Sequence, residues 1–248
     1  MRSIDLVLPL YKPHFGWEKH IVDAVSALRA EFAQKNWQLQ LYLVNDGSDL
    51  SFFPEESLAK IRQAAGGKFE FLSYTPNHGK GYCLRYGIAR TQGDFQVYTD
   101  GDFPFGWQSV AEAAGKLEQG ADIVMGVRGR EYGEALGWSR KIISSGVRAL
   151  NRLLLGLPDR FLDTQAGLKG FDSNGKTAFL ATETDSFLFD TEFILLGNNA
   201  KLKIDTVDLH LRQGLHFSRM GFKVICRELR HFIRILFQVR ICGKMRKK

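Results

Sequence analysis

Five short apolar runs constrain the fold more than any other feature. IDLVLPL (4–10), LQLYLV (39–44), FEFLSY (69–74), DFQVYT (94–99) and ADIVMGV (121–127) are nearly continuous in hydrophobicity, as strands buried on both faces are. Between them, helical patterns occupy 17–34, 55–65, 80–91 and 107–119. That alternation predicts an open, mostly parallel α/β sheet with helices on both faces. After residue 128 the pattern changes. A long helix is predicted from Trp138 to Leu155. A mixed region with AGLKGF (166–171) follows, then a helix near 189–199 and a strand near 203–211. A last helix is predicted from Arg219 to about Arg240.

A chain of 248 residues suits one domain, or one domain with an appendage. Residues 1–218 are read as the domain and 219–248 as a basic amphipathic tail. Cys83, Cys226 and Cys242 form no C-x-x-C pair, which points to reduced thiols and a cytosolic setting. Asp5 interrupts the N-terminal apolar run, so no signal peptide is expected. No run is long enough to predict a membrane-spanning helix. The net charge of +7 is concentrated in the tail, where ten Lys and Arg face one acid, Glu228. The body is close to neutral. Such asymmetry suggests a polyanionic partner, either a membrane surface or nucleic acid.

In open α/β sheets, ligands bind beyond the carboxyl ends of the strands. Three polar clusters fall there: NDGSD (45–49), NHGKG (77–81) and DGD (100–102). NDGSD has the composition of a turn. Its functional reading makes Asp46 an acceptor for a base or ribose, with Gly47 allowing close approach. NHGKG is either a helix start or an anion-binding corner, with backbone N–H groups and Lys80 near a phosphate. It lacks P-loop spacing. Asp100 and Asp102 flank Gly101, and side chains at i and i+2 of an extended segment point the same way. A divalent cation, a lysine, an arginine or water would relieve their repulsion. Mg²⁺ and Mn²⁺ commonly take one or two carboxylates plus phosphate oxygens. His14, His20, His78, His210, His216 and His231 show no ligand spacing.

These motifs, in this order, resemble the family-2 glycosyltransferases with the GT-A fold, a Rossmann-like open sheet. The likeness begins at LPLY (8–11) and runs through VNDGSD, NHGKGYCLRYGI, TDGDFPF and GVRGREY. The segment RKIISSGVRALNRLLLGLPDRFLDTQAGLKGF (140–171) is similar to the polyprenyl-phosphate glycosyltransferases in particular. The resemblance covers about residues 3 to 220. It implies that Pro9, Tyr11 and Asp46 hold the nucleotide. Asp100 and Asp102, with Gly101 between them, would hold Mg²⁺ or Mn²⁺ and through it the donor diphosphate. Lys80 would add positive charge there. Arg128, Arg140 and Ser144 would receive an acceptor phosphate. Asp163 and Gln165 would lie near the donor sugar, and Arg212 on a loop that closes over it. Three positions depart from the family pattern: Pro13 replaces an acid, Pro104 replaces a glutamine of the mannose-type subgroup, and Asn45 replaces the first acid of VDDGS.

The implied function is inverting, metal-dependent sugar transfer from a nucleoside-diphosphate sugar to a polyprenyl phosphate. DTQAGLKGF (163–171) is more like the glucose-type synthases, which favours a UDP-sugar and leaves GDP-mannose open. A phosphate monoester is already largely a dianion at neutral pH, so no strong general base is required. A saccharide hydroxyl acceptor would need one, and Glu192, beside Asp190, is the candidate. On the predicted 138–155 helix, Arg140, Ser144 and Arg148 share a face, while Ile143, Val147, Leu150 and Leu154 form an apolar stripe. In the tail, Ile225, Leu229, Phe232 and Leu236 face one way, and Arg227, Arg230 and Arg234 another. Such a helix can lie in a membrane interface, so a cytoplasmic enzyme peripheral to the inner membrane face is expected. No membrane-spanning appendix of the kind some relatives carry is expected. From a different class, a non-catalytic scaffold or basic polyanion binder would explain the tail. Recognisable nucleic-acid-reading motifs are absent, and no nucleic-acid partner is expected.

Overall fold

The computed structural model describes residues 1–129, 158, 161, 163–186 and 188–212. The predicted helices at 138–155 and from Arg219 lie outside the described residues, as do Arg140, Ser144 and Arg148. The described elements run β1 (Arg2–Leu10), α1 (Glu18–Gln34), β2 (Trp37–Asp46), α2 (Glu55–Ala64), β3 (Phe69–Tyr74), α3 (Lys80–Ile88), β4 (Phe95–Tyr98), α4 (Gly106–Glu118), β5 (Ile123–Arg128), β6 (Lys169–Phe171), α5 (Ser173–Leu180), α6 (Phe189–Asn199) and β7 (Ile204–Leu209).

One seven-stranded sheet joins them in the order β3-β2-β1-β4-β6-β5-β7. β1 pairs in parallel with β2 and β4, β2 with β3, and β5 with β7. The apolar run of β1 has the expected cause, whereas β3, at the edge of the sheet, has only half-buried and exposed residues. Leu6 and Leu8 pack into one core with Ile21, Val25, Leu28 and Phe32 of α1. Val7, between them, packs into the opposite core with Leu84 and Ile88 of α3. Every residue of the strand interior is therefore buried, on alternating faces. The second core is aromatic: Phe179 of α5 lies 5.2 Å from Phe171 and 5.1 Å from Phe193.

Two features were not foreseen. Within the mixed region, Lys169–Phe171 form a short strand antiparallel to both neighbours, β4 and β5. Helix α5 follows directly, because the Asp172 carboxylate accepts from the N–H groups of Asn174 and Gly175 at its start. The reversal of β6 decides the site. The parallel strands end on one rim, and an antiparallel strand begins on that rim. Residues 163–168 therefore enter beside the loops that leave β4 and β5. Helix α3 also stops at Ile88 rather than 91, and β7 at Leu209 rather than 211.

Candidate active site at the carboxyl rim

The loop after β4 makes a tight turn. Phe103 adopts a left-handed φ of 46° and is buried. Its N–H donates to the Asp100 carbonyl at 3.0 Å, and the Gly106 N–H donates to the Phe103 carbonyl at 3.0 Å. Burial of the Phe103 ring holds a conformation that a bulky residue does not adopt readily. The turn leaves both aspartates at the rim, Asp100 half-buried and Asp102 partly in contact with solvent. Gly101 is buried against Leu10, where a β-carbon would overlap the leucine side chain.

The positive group beside this pair is Lys80, whose Nζ lies 2.5 Å from Asp100 Oδ1. Partial burial and the charge of Asp100 push the Asp102 carboxyl above its usual range, against the pull of Lys80 and Arg212. Arg212 reaches the same loop through its backbone: its N–H donates to the Pro104 carbonyl at 2.9 Å. Its guanidinium lies 3.4 Å from His20 Nδ1. Proline at 104 thus offers no side-chain ligand but does offer an anchoring carbonyl.

No cluster of three His, Cys, Asp or Glu suited to a metal occurs among the described residues. Two carboxylates on an open rim are still a fitting donor set for Mg²⁺ or Mn²⁺. Such ions need few protein ligands and fill their shells with phosphate oxygens and water.

The NDGSD and NHGKG clusters meet each other. Asp46 is buried, and its carboxylate accepts from the Tyr74 hydroxyl at 2.7 Å, the His78 N–H at 3.0 Å and the Gly79 N–H at 3.1 Å. Two N–H groups of the supposed anion-binding corner are therefore spent on the protein's own anion. A third, on Gly81, donates to the Asp185 carbonyl at 2.9 Å. Gly47, with φ 72°, leaves room for the Pro76–Asn77 backbone rather than for a ligand. Asn45 closes the turn through Ser48, and Ser48 Oγ accepts from the Lys12 N–H at 2.8 Å. These bonds set Tyr11, half exposed, beside the cluster. Pro9 is half-buried opposite Val44 within the sheet.

On the other side of the rim, Arg128 and Asp163 form an ion pair. The Arg128 guanidinium donates to both Asp163 oxygens, and its backbone N–H donates to Oδ2 at 2.8 Å. Burial raises the Asp163 pKa, but the bonds from Arg128 outweigh it and hold the carboxyl below its usual range. Gln165 is half-buried on the same turn. Glu192 is not the exposed helix acid that a surface position would make it. It is 1% exposed, and its carboxylate accepts from the Glu183 N–H at 3.0 Å and the Thr184 N–H at 2.8 Å. Asp190 is also buried and accepts from the Tyr98 hydroxyl.

Sequence inspection passed over Gly167 and Lys169. A β-carbon on Gly167 would overlap Asp100 Oδ2, though the backbone there is not left-handed. Gly167→Ala is therefore expected to displace Asp100 and weaken Mn²⁺ binding about 10–100-fold. Isothermal titration of Mn²⁺ in the presence of UDP checks this, and an unchanged affinity would show that Asp100 has room to move.

Residues 6–175 match the model of glycosyl transferase family 2. The chain belongs to that family. The dolichyl-phosphate beta-glucosyltransferase of Saccharomyces cerevisiae is 21% identical over 227 residues. That match covers 83% of this chain and 66% of the yeast enzyme, just under two thirds of its length. Glucosyl-3-phosphoglycerate synthase from Mycobacterium tuberculosis, solved with Mn²⁺, UDP and glucosyl-3-phosphoglycerate, superimposes with a TM-score of 0.69 at 19% identity. It covers 96% of this chain and 79% of the synthase. A form of the same synthase with Mg²⁺ and UDP gives 0.67 at 17% identity, with 96% and 79% covered. These structures establish the GT-A fold.

Proposed function

We propose that the protein transfers a hexose, with inversion, from a UDP-sugar to a polyprenyl phosphate at the cytoplasmic membrane face. The observation that carries this reading is the Asp100–Asp102 pair, presented at the carboxyl rim with Lys80 against it and Arg212 tied to the same loop. A divalent cation bound by the two aspartates would supply Lewis acidity toward the departing diphosphate. The chain's own part is to orient donor and acceptor and to hold fixed positive charge near the leaving group. Lys80 and Arg212 supply that charge. Pro9, Tyr11 and Asp46 border the nucleotide, and Gln165 the sugar.

Arg128, locked in direction by Asp163, would receive the acceptor phosphate together with Arg140 and Ser144. A dianionic phosphate needs orientation more than deprotonation. This agrees with Glu192, whose oxygens are bonded to backbone N–H groups and are poorly placed to take a proton from a saccharide hydroxyl. Glucose is favoured by the likeness of DTQAGLKGF to glucose-type enzymes and by the yeast relative's name, and UDP by the nucleotide bound in the similar synthase structure. The basic segment from Arg219 would contribute membrane attraction of about 1 kcal/mol per nearby Lys or Arg. Among the described residues no helix is long and apolar enough to cross a membrane.

The test is to supply UDP-glucose or GDP-mannose, with Mn²⁺, and either polyprenyl phosphate in detergent or soluble 3-phosphoglycerate. A lipid-linked sugar formed from UDP-glucose is the expected product. Transfer to 3-phosphoglycerate alone, or no transfer from either donor, would refute the lipid acceptor.

A further inference from the structure

Lys169 stands opposite Tyr98 on β4 and Met125 on β5, and is wholly inaccessible to solvent. Its Nζ donates to the Thr164 carbonyl at 2.8 Å and the Ala166 carbonyl at 2.6 Å, and lies 3.2 Å from Asp190 Oδ1. An ammonium has three hydrogens, and here three acceptors meet them. The Tyr98 hydroxyl donates to the same Asp190 oxygen, and Thr164 Oγ1 lies 2.7 Å from Thr191 Oγ1. The two carbonyls on Lys169 flank Gln165. One residue further on, Gly167 lies directly against Asp100.

A buried charge is a costly way to fill a core. An apolar side chain of similar volume is often neutral or better for stability. Lys169 does what an apolar side chain cannot: it fastens two carbonyls of a turn whose far end leaves room for Asp100 only because residue 167 is glycine. We propose that Lys169 is a positioning residue, which acts through the Asp163–Gly167 turn to hold the donor-side groups in register with Asp100 and Asp102. The inference rests on the transfer reading above. Burial lowers the Lys169 pKa, and Asp190 supports the charged form against it.

The experiment measures UDP release from UDP-glucose with Mn²⁺ and acceptor, on the full chain, well below each variant's melting temperature. Small misplacements in a site cost about 10²-fold. Lys169→Met is therefore expected to lower kcat about 100-fold, while KM for UDP-glucose stays within about threefold. The melting shift produced by UDP and Mn²⁺ should persist, since Asp100 and Asp102 remain. A lower melting temperature with wild-type kcat would overturn the inference and leave Lys169 a structural residue. If Lys169→Met does not fold, Tyr98→Phe and Thr191→Val each remove one bond of the network. Each should lower kcat about tenfold, and unchanged kcat in both would likewise overturn it. A wild type that releases no UDP overturns the transfer reading and this inference with it. Wild-type turnover with unaffected variants overturns this inference alone.

Discussion

Asp102→Asn is expected to abolish the stabilisation of the protein by UDP with Mn²⁺ while leaving the ligand-free protein at least as stable as the wild type. The two halves of this result have different origins. A ligand at about 100 times its dissociation constant adds roughly 2.7 kcal/mol to stability, so wild type should show a clear rise in melting temperature. That rise requires the carboxylate, because asparagine offers a neutral oxygen in place of a charged one. Without ligand, Asp102 is a burden to the fold. Partial burial and the neighbouring Asp100 raise its pKa, so the charged form is disfavoured in the folded protein. Removing the charge relieves that repulsion.

Turnover should fall on the order of 10³-fold, the rate equivalent of the several kcal/mol a divalent cation contributes. Differential scanning fluorimetry with UDP, GDP and Mn²⁺ separately and together resolves both halves. A variant that retains the metal-dependent shift would remove Asp102 from the proposed site. A variant that loses ligand-free stability would show that its charge is structurally required.

The second large effect concerns Arg128 and Asp163. Their side chains are only 14% and 6% exposed. Breaking a buried pair by removing one partner costs about 3–5 kcal/mol, because the other charge stays behind. Asp163→Ala should therefore lower the unfolding free energy at pH 7 by about that amount, read from urea melts. The pH dependence has a defined sign. Asp163 has a depressed pKa when folded, so its contribution is fully present above the unfolded value of about 3.9. It is lost as pH falls through the lower folded value. The gap between wild type and Asp163→Ala should then narrow below about pH 4. A gap under about 1 kcal/mol at pH 7 would mark the pair as no stronger than an exposed salt bridge.

Much of the rim was legible because its signals are local. Asp100 and Asp102 close an apolar run, so their place at the rim was visible, but they lie in a turn closed at Phe103 and not in the extended segment expected. The Asp46 turn was equally visible, but the protein's own bonds to its carboxylate were not. The carboxylate that a sequence offers to a ligand is here consumed by the His78 and Gly79 N–H groups. The burial of Glu192 was hidden for a related reason. Its helix was expected, but helical spacing alone did not reveal that the face bearing Glu192 packs under residues 183–184. Lys169 left only a faint trace, one charge inside a short apolar segment, AGLKGF.

The alternation of strand and helix, the burial of the central strands on both faces and the placing of three polar clusters at strand ends can all be read along the chain. Each depends on residues close together in the chain, whose periodicity reports which face is buried. That β6 runs antiparallel between β4 and β5 emerges only in the folded chain. That single reversal carries Asp163 to Arg128, Gly167 to Asp100 and Lys169 beneath the turn that joins them. Strand direction is set by how distant segments pair and pack, a property no local pattern encodes, and it converts separate motifs into one site.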